Sequence, residues 1–271
     1  MSLPIRLLVS DVDGTLVRSD RSLAASTLAA ARRLRAAGIG LALVSARAPA
    51  GLDCLIEPLA LDTPRAGFNG GVILEADGSV IEELVIDEAA AATAIRMLEQ
   101  AGLDVWVFAR NRWYLRDPEA HYIASEQRSI SMGWEVVDDF TPLLRGIHKI
   151  MGSSLDHARV AQADVALRQA LGADAAVQRS QDYYVDVTHP HADKGRATRR
   201  IAGRLGVPME AVACIGDMPN DLSMFEVAGL SFAMGNAPGS VQRHAGHVVA
   251  GHDEDGWAEA ADMILRQHVH R

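Results

Sequence analysis

The amino-acid sequence predicts an α/β protein, a parallel sheet flanked by helices and interrupted by an α+β insertion. Three observations predict it. Short apolar runs alternate with helical stretches toward both ends of the chain, the pattern of βα units. Several of those runs end in a polar residue, and open parallel sheets bind ligands beyond the carboxyl ends of their strands. The middle of the chain instead strings strand-like pieces around two helices, with no internal repeat and no low-complexity linker.

The elements follow in order. Ile5 to Ser10 reads as a buried strand that delivers Asp11. Ser22 to Ala37, rich in Ala, Leu and Arg and closed by Gly38, reads as a helix. Ile39 to Val44 is a second buried strand ending at Ser45. Gly70 to Ile86 carries apolar runs on both sides of Asp77-Gly78, a hairpin signal. A helix from about Glu88 to Ala101 has Asp87 as N-cap and Gly102 as stop. Strand-like pieces then cover Val105–Phe108 and Trp113–Leu115. Asp156 caps a second helix that Gly172 ends, and Tyr183 to Val187 is another strand. A helix from Lys194 to Leu205 returns to the α/β pattern. Strands at Ala211–Ile215 and Leu230–Met234 follow, ending at Gly216-Asp217 and Gly235-Asn236.

Bulk properties narrow the function. In 271 residues nearly half are hydrophobic, enough for a sizeable core in one large domain or two modest ones. The net charge of −9 repels a phosphate backbone and an anionic membrane surface, so neither nucleic acid nor membrane is an expected partner. Cys54 and Cys214 form no disulfide framework or zinc pattern, and Cys214 lies in an apolar run as a small core residue. Arg6 interrupts the only early apolar run, and no run approaches the length of a membrane span, so a cytoplasmic location is the expectation.

Four segments carry candidate chemistry. In Asp11-Val12-Asp13-Gly14-Thr15, the two carboxylates stand at i and i+2, which share a face of a regular strand, and the glycine that follows permits a turn that brings both to one site. One carboxylate can attack phosphorus, and the other can protonate a leaving oxygen and then activate water. A solvated acidic turn is the plainer alternative. A calcium loop fails, because the glycine comes too early and Ser22 stands where the closing Glu is required. In Gly216-Asp217-Met218-Pro219-Asn220-Asp221, Asp217 suits a hard cation such as magnesium, although Asn220 or Asp221 could simply cap a helix whose N-terminus welcomes phosphate. In Asp193-Lys194-Gly195 the lysine is a compact charge suited to a phosphate oxygen, or else a solvated surface residue. In Ser45-Ala46-Arg47 the hydroxyl can donate to phosphate.

Together these segments resemble the haloacid dehalogenase (HAD) superfamily of phosphohydrolases, most closely its Cof-type, type IIB branch. DVDGTL at Asp11–Leu16, VSAR at Val44–Arg47, DKG at Asp193–Gly195 and GDMPNDLSMF at Gly216–Phe225 resemble its four motifs in order. FNGGVIL at Phe68–Leu74, AMGNAPGSV at Ala233–Val241 and DEDG at Asp253–Gly256 resemble further segments of the branch. The resemblance implies a Rossmann-like, doubly wound core over residues 1–84 and 188–271. It also implies an inserted α+β cap of the C2B type over about 85–187, which would close over substrate and exclude water. Little chain separates Leu16 from Ser22, so a cap inserted there has no room.

The implied activity is a Mg2+-dependent phosphatase of a small phosphorylated metabolite, such as a sugar phosphate, working through an aspartyl-phosphate. A phosphotransferase or mutase and a non-catalytic phosphate-binding regulator are the alternatives on the same scaffold. The resemblance makes Asp11 nucleophile and metal ligand. It makes Asp13 general acid/base, with its backbone carbonyl on the metal, and Asp217 the remaining protein ligand. Ser45 and Lys194 would hold the phosphoryl group. Asn220 would support phosphate or a metal-bound water, Asp221 would orient Lys194 or such a water, and Thr15 would brace the loop around Gly14, with Gly216 opening the fourth motif. Arg47 and Asn69 are candidates for the core side of the pocket. Two departures stand out: Ala46 replaces the usual glycine of the second motif, and Thr188-His189-Pro190-His191 is unusually rich in histidine. Of Trp106, Trp113, Tyr114, His121, Arg128, Tyr183 and Tyr184 in the insertion, some are expected to face substrate and most to pack in the core.

Overall fold

The computed structural model describes residues 3–130 and 132–269. In chain order its principal elements begin with β1 (Leu7–Ser10), α1 (Ala25–Ala36), β2 (Gly40–Leu43), α2 (Asp53–Leu59), β3 (Arg65–Gly67), β4 (Val72–Leu74) and β5 (Val80–Glu83). The middle contains α3 (Glu88–Gln100), β6 (Asp104–Ala109), β7 (Arg112–Leu115), α4 (Ile123–Ile130), β8 (Trp134–Val136), β9 (Ile147–Ser153), α5 (His157–Leu171), β10 (Ala176–Gln181) and β11 (Tyr184–Thr188). The last part holds α6 (Lys194–Arg204), β12 (Val212–Gly216), α7 (Leu222–Val227), β13 (Leu230–Ala233), α8 (Gly239–Gln242), β14 (His247–Val248) and α9 (Gly256–Val269).

The chain forms two compact units, one of residues 1–46, 53–81 and 193–271 and another of 47–52 and 82–192. The first is built on a five-stranded sheet in the order β14-β13-β12-β1-β2, every pairing parallel. Its strands read as unbroken apolar runs because both faces are covered: Leu7, Leu8, Val9, Val212, Ala213 and Ile215 are fully buried. Each such Leu, Ile or Val contributes roughly 1.5–3 kcal/mol on burial. The chain leaves β1 toward β2 on one side and later adds β12, β13 and β14 on the other. The switch point therefore lies between β1 and β12, where α/β sheets place ligands. A three-stranded sheet, β3-β4-β5, carries the expected hairpin, with its turn at Asp77-Gly78.

The second unit is a six-stranded sheet, β10-β11-β9-β6-β7-β8. One face is aliphatic: Val105, Val107, Ile150, Val185 and Val187 pack with Ala91, Leu98, Val160 and Leu167 from α3 and α5. Both helices start on the expected caps. Asp87 accepts from Ala89 N at 2.9 Å and Ala90 N at 3.2 Å, and Asp156 accepts from Arg159 N at 3.1 Å. The other face is aromatic. Trp106 and Trp113 meet edge to face at 5.3 Å between centroids, and Tyr184 lies 5.5 Å from Trp106. Trp106, Trp113, Tyr114 and Tyr184 are buried, whereas His121 and Arg128 are exposed.

The second unit is wider than the expected 85–187, for identifiable reasons. Ile86 N bonds Ile147 O at 2.8 Å, and Leu84 O lies 3.2 Å from His148 Nδ1, so the chain joins this unit before residue 85. At the other end His189 to Ala192 close a turn through Ala192 N and His189 O at 2.9 Å. The sequence reading also found two helices in this region where the structure has three. The third, α4, spans only eight residues, too short a stretch to announce a helix from sequence.

Candidate active site

The candidate site is assembled at the carboxyl ends of neighbouring strands of the first unit. Asp11 follows β1, Asp217 follows β12 and Ser45 follows β2 closely; Asp11 N bonds Ile215 O at 3.0 Å, which continues the ladder into the loop. The parallel register thus brings together residues about two hundred positions apart in sequence. Asp11, Ser45, Asp217, Asp221, Lys194 and Thr15 are all buried.

Lys194, the first residue of α6, is 1 % exposed, which excludes the solvated-surface alternative. Its Nζ donates to Asp11 Oδ1 at 2.7 Å and to Asp221 Oδ1 at 2.6 Å. Burial alone would lower the lysine's pKa, but the two carboxylates outweigh it and hold the ammonium charged. The Asp221 carboxylate is further bound by Asp217 N at 2.8 Å and Met218 N at 2.9 Å. It therefore reaches back over its own loop and makes no cap bond to α7. This closeness leaves no space at Gly216, where a Cβ would stand 2.4 Å from Asp221 Cγ. Asp193 is the N-cap of α6 and accepts from Arg196 N at 2.7 Å.

Thr15 Oγ1 donates to Asp217 Oδ1 at 3.0 Å, and Asn236 Nδ2 donates to Asp217 Oδ2 at 3.3 Å. Gly14 is held at φ 74°, a conformation favouring glycine, and a Cβ there would lie 2.4 Å from Asp217 Oδ2. Burial, reinforced by Asp221, pushes the Asp217 carboxyl up to about 6. Burial raises Asp11 well above the usual carboxylate range despite Lys194.

Asp11, Asp217 and Asp221 each offer an oxygen, and these lie within 4.8 Å of one another. Fully ionised, three carboxylates against one ammonium carry a surplus of two negative charges in a buried space, and without a cation Asp11 and Asp217 are held above the ordinary carboxylate range. An all-oxygen donor set with that surplus fits a hard divalent cation. Asp221 accepts from three N–H donors, more than Asp11 or Asp217, so Asp11 and Asp217 are the side chains with the most capacity left for one.

The remaining candidates divide. Asp13 is exposed, whereas Asp11 two residues earlier is buried. Asn220 Nδ2 donates to Asn69 Oδ1 at 3.0 Å, which brings these two candidates together in the first unit. Asn69 has φ 56° and its N bonds Ser45 O at 2.8 Å, so the Phe68-Asn69-Gly70 turn is tied to the end of β2. Arg47 differs from its expected placement on the core side. It packs in the second unit, donating to Gly51 O at 3.1 Å, because the turn Pro49–Leu52 lies against α4 at Ile130. His189 and His191 also belong to the second unit, where His189 Nδ1 accepts from His191 N at 3.0 Å.

Sequence reasoning missed three contributors. Trp257 on α9 is buried and donates from Nε1 to Ser10 Oγ at 3.0 Å, and Ser10 Oγ donates to Asp11 O at 2.6 Å. The third is Asn236, which also bonds Gly14 O at 2.9 Å. Its signals in the sequence are its place in the AMGNAPGSV segment and its position at the end of the buried run Leu230–Met234.

Comparison with known proteins identifies the family. The family model described as haloacid dehalogenase-like hydrolase matches residues 8–260. A Haemophilus influenzae relative is 30 % identical over 250 residues, covering 92 % of this chain and 94 % of its own length. The phosphatase YwpJ of Bacillus subtilis is 26 % identical over 287 residues, covering 96 % and 100 %. The pyridoxal phosphate phosphatase YbhA of Escherichia coli is 26 % identical over 264 residues, covering 94 % and 96 %. A solved haloacid dehalogenase-like hydrolase from Bacteroides thetaiotaomicron superposes with a TM-score of 0.88 at 26 % identity, covering 96 % of this chain and 99 % of that one. With its motifs, its parallel core sheet and these matches together, the chain belongs to the haloacid dehalogenase-like hydrolases, in their Cof-type branch.

Proposed function

We infer that this protein is a Mg2+-dependent phosphatase that hydrolyses a small phosphorylated metabolite through an aspartyl-phosphate on Asp11. The observation that carries this reading is the buried set Asp11, Lys194, Asp217 and Asp221 with its surplus of two negative charges. The names of relatives support it, since they specify phosphatases of pyridoxal phosphate and of a phosphoribitylaminouracil.

In the proposed reaction an Asp11 carboxylate oxygen attacks phosphorus in line with the ester oxygen. The P–O ester bond breaks as the Asp11–phosphorus bond forms, and Asp13 gives its proton to the departing oxygen. Asp13 then takes a proton from water. The resulting hydroxide attacks phosphorus, breaks the Asp11–phosphorus bond and releases inorganic phosphate. Lys194, already charged, balances negative charge on the phosphoryl oxygens, and Asp221 holds it in position. Ser45 after β2, Asn69 in the Phe68–Gly70 turn and Asn220 in the loop after β12 supply donors for the phosphoryl group. Thr15 fixes Asp217.

Asp11, the Asp13 carbonyl and Asp217 would hold the magnesium. When bound, that ion neutralises the surplus charge and polarises the phosphoryl oxygens. The second unit, expected as a cap over about 85–187, is proposed to select the leaving group. Among the described residues no helix is long and apolar enough to cross a membrane.

The test is turnover of a panel of phosphorylated sugars, nucleotides and coenzymes with magnesium, using Asp11→Asn as control. Activity confined to the wild type and lost in chelator supports the reading. Full activity in Asp11→Asn, or robust turnover in chelator, overturns it.

A further inference from the structure

We propose that Asn236 is a positioning residue, the amide that sets the orientation of the Asp217 carboxylate and thereby the affinity of the site for magnesium. The inference rests on the metal-dependent reading above and deepens it. Its ground is a set of contacts that the four motifs do not account for.

Asn236 follows β13, the strand next to β12. Its Nδ2 carries two hydrogens, and both are directed at the site. One bonds Gly14 O at 2.9 Å, on the turn that carries Asp11 and Asp13, and the other bonds Asp217 Oδ2 at 3.3 Å. Asn236 therefore ties the first motif to the fourth through a single planar group. Asp217 gains one donor on each oxygen, Thr15 on Oδ1 and Asn236 on Oδ2, which fixes the carboxylate's rotation and leaves one lone pair per oxygen pointed away from both donors. An amide does this without adding charge. A lysine or arginine in the same place would cancel part of the surplus that attracts a cation.

Asn236 is itself held from behind. Its Oδ1 accepts from His252 N at 3.0 Å. The loop from His252 to Asp255 is fastened to the segment after the first motif. Asp253 accepts from Ser19 N at 2.9 Å and Ser19 Oγ at 2.5 Å, and Asp255 accepts from Arg18 Nη2 at 2.9 Å and Ser26 Oγ at 2.6 Å. The oxygen anchor decides which way the amide faces, so its nitrogen end is committed to Gly14 and Asp217. This gives work to the AMGNAPGSV and DEDG segments, both singled out in the sequence and neither used by the proposed chemistry.

Groups that orient a metal ligand from outside the coordination sphere typically change metal affinity by 10–100-fold when removed. The long bond to Asp217 and the exposure of Asn236 place the expected loss near the lower end, about 10-fold. Exposure also means that truncation leaves no buried hole.

The experiment is calorimetric titration of magnesium into the full-length wild type, Asn236→Ala, Asn236→Ser and Ser19→Ala at neutral pH, with thermal unfolding of each in chelator. We expect Asn236→Ala to weaken magnesium binding about 10-fold, Asn236→Ser to fall between it and the wild type through its one hydroxyl donor, and Ser19→Ala, which keeps the Ser19 N bond to Asp253, to lose much less than Asn236→Ala. In turnover assays kcat of Asn236→Ala recovers at high magnesium while KM for substrate stays unchanged. Wild-type affinity in Asn236→Ala overturns the proposal. So does an equal loss in Ser19→Ala, which would make the whole strap structural, or failure of both Asn236 variants to fold. Absence of magnesium binding by the wild type would instead overturn the metal-dependent reading on which the proposal stands.

Discussion

Each unit of the protein buries a lysine against carboxylate, and the two sites differ in charge balance. In the second unit Lys149 on β9 meets Asp186 on β11 at 2.8 Å, with side chains 7 % and 5 % exposed. The pair is one cation against one anion on the aromatic face of the sheet, two strand neighbours closing a neutral couple. In the first unit Lys194 meets Asp11 and Asp221, with Asp217 beside them, so one cation faces three anions. The Lys149–Asp186 couple balances its own charge, although Asp186 Oδ1 is buried without a hydrogen-bond partner, and replacing such a pair with apolar side chains of similar volume is often neutral or stabilising. A surplus of buried charge calls for something else to balance it. On this account the first is a structural contact and the second is a receptor for a cation and a phosphoryl group.

Predictions that break or sharpen this contrast run from large effects to small. Asp11→Asn removes the nucleophile and is expected to lower kcat by roughly 10^4-fold or more, the scale seen when a covalent catalyst loses its nucleophile. Circular dichroism and thermal unfolding should show the fold kept. Next, Lys194→Met and Lys149→Met should each destabilise by about 3–5 kcal/mol, because each strands buried carboxylate. The double replacements separate them. Lys149→Met with Asp186→Leu should recover the stability and keep turnover, measured by denaturant unfolding and kcat. No partner change at Asp11 or Asp221 should recover turnover in Lys194→Met.

The pH dependence is the third. Asp217 has its folded-state pKa raised to about 6 from the ordinary 3.8. A raised carboxyl contributes stability below its unfolded value and loses it as pH rises through the folded value. Metal-free protein should therefore lose stability between about 3.8 and about 6, with Asp11, also raised, adding in the same direction. Magnesium binding needs the deprotonated carboxylate, so its affinity should fall as pH drops through about 6. Thermal unfolding across pH, with and without magnesium, reads both. The smallest effect is in the second unit: Asp87→Ala removes an exposed N-cap and should cost about 1 kcal/mol with kcat unchanged.

Much of the first unit was legible in the sequence for a physical reason. Strands covered on both faces are short apolar runs, and a polar residue at the end of such a run marks where the chain leaves the sheet toward ligand. That logic found Asp11, Ser45 and Asp217 and their common edge. The caps of α3 and α5 were legible because Asp87 and Asp156 act on backbone two or three residues away. What the residues alone did not reveal is long-range. Asn236 bonds Gly14 across 222 positions, and Trp257 reaches Ser10 across 247. The placement of Arg47 is set by how Pro49–Leu52 packs on α4, and α4, at eight residues, is too short to announce itself. Asp221 was assigned to orient Lys194 or a metal-bound water, and its side chain does bond Lys194. That it also binds Asp217 N and Met218 N could be seen only with the loop folded.

The account turns on covalent chemistry at Asp11, and rapid acid quench during turnover of an aryl phosphate with magnesium, followed by peptide mass spectrometry, tests that most directly. A phosphoryl group on the peptide containing Asp11, absent from Asp11→Asn and from samples quenched in chelator, is the predicted result. A phosphoryl group on another residue would contradict it, as would wild-type turnover persisting in Asp11→Asn.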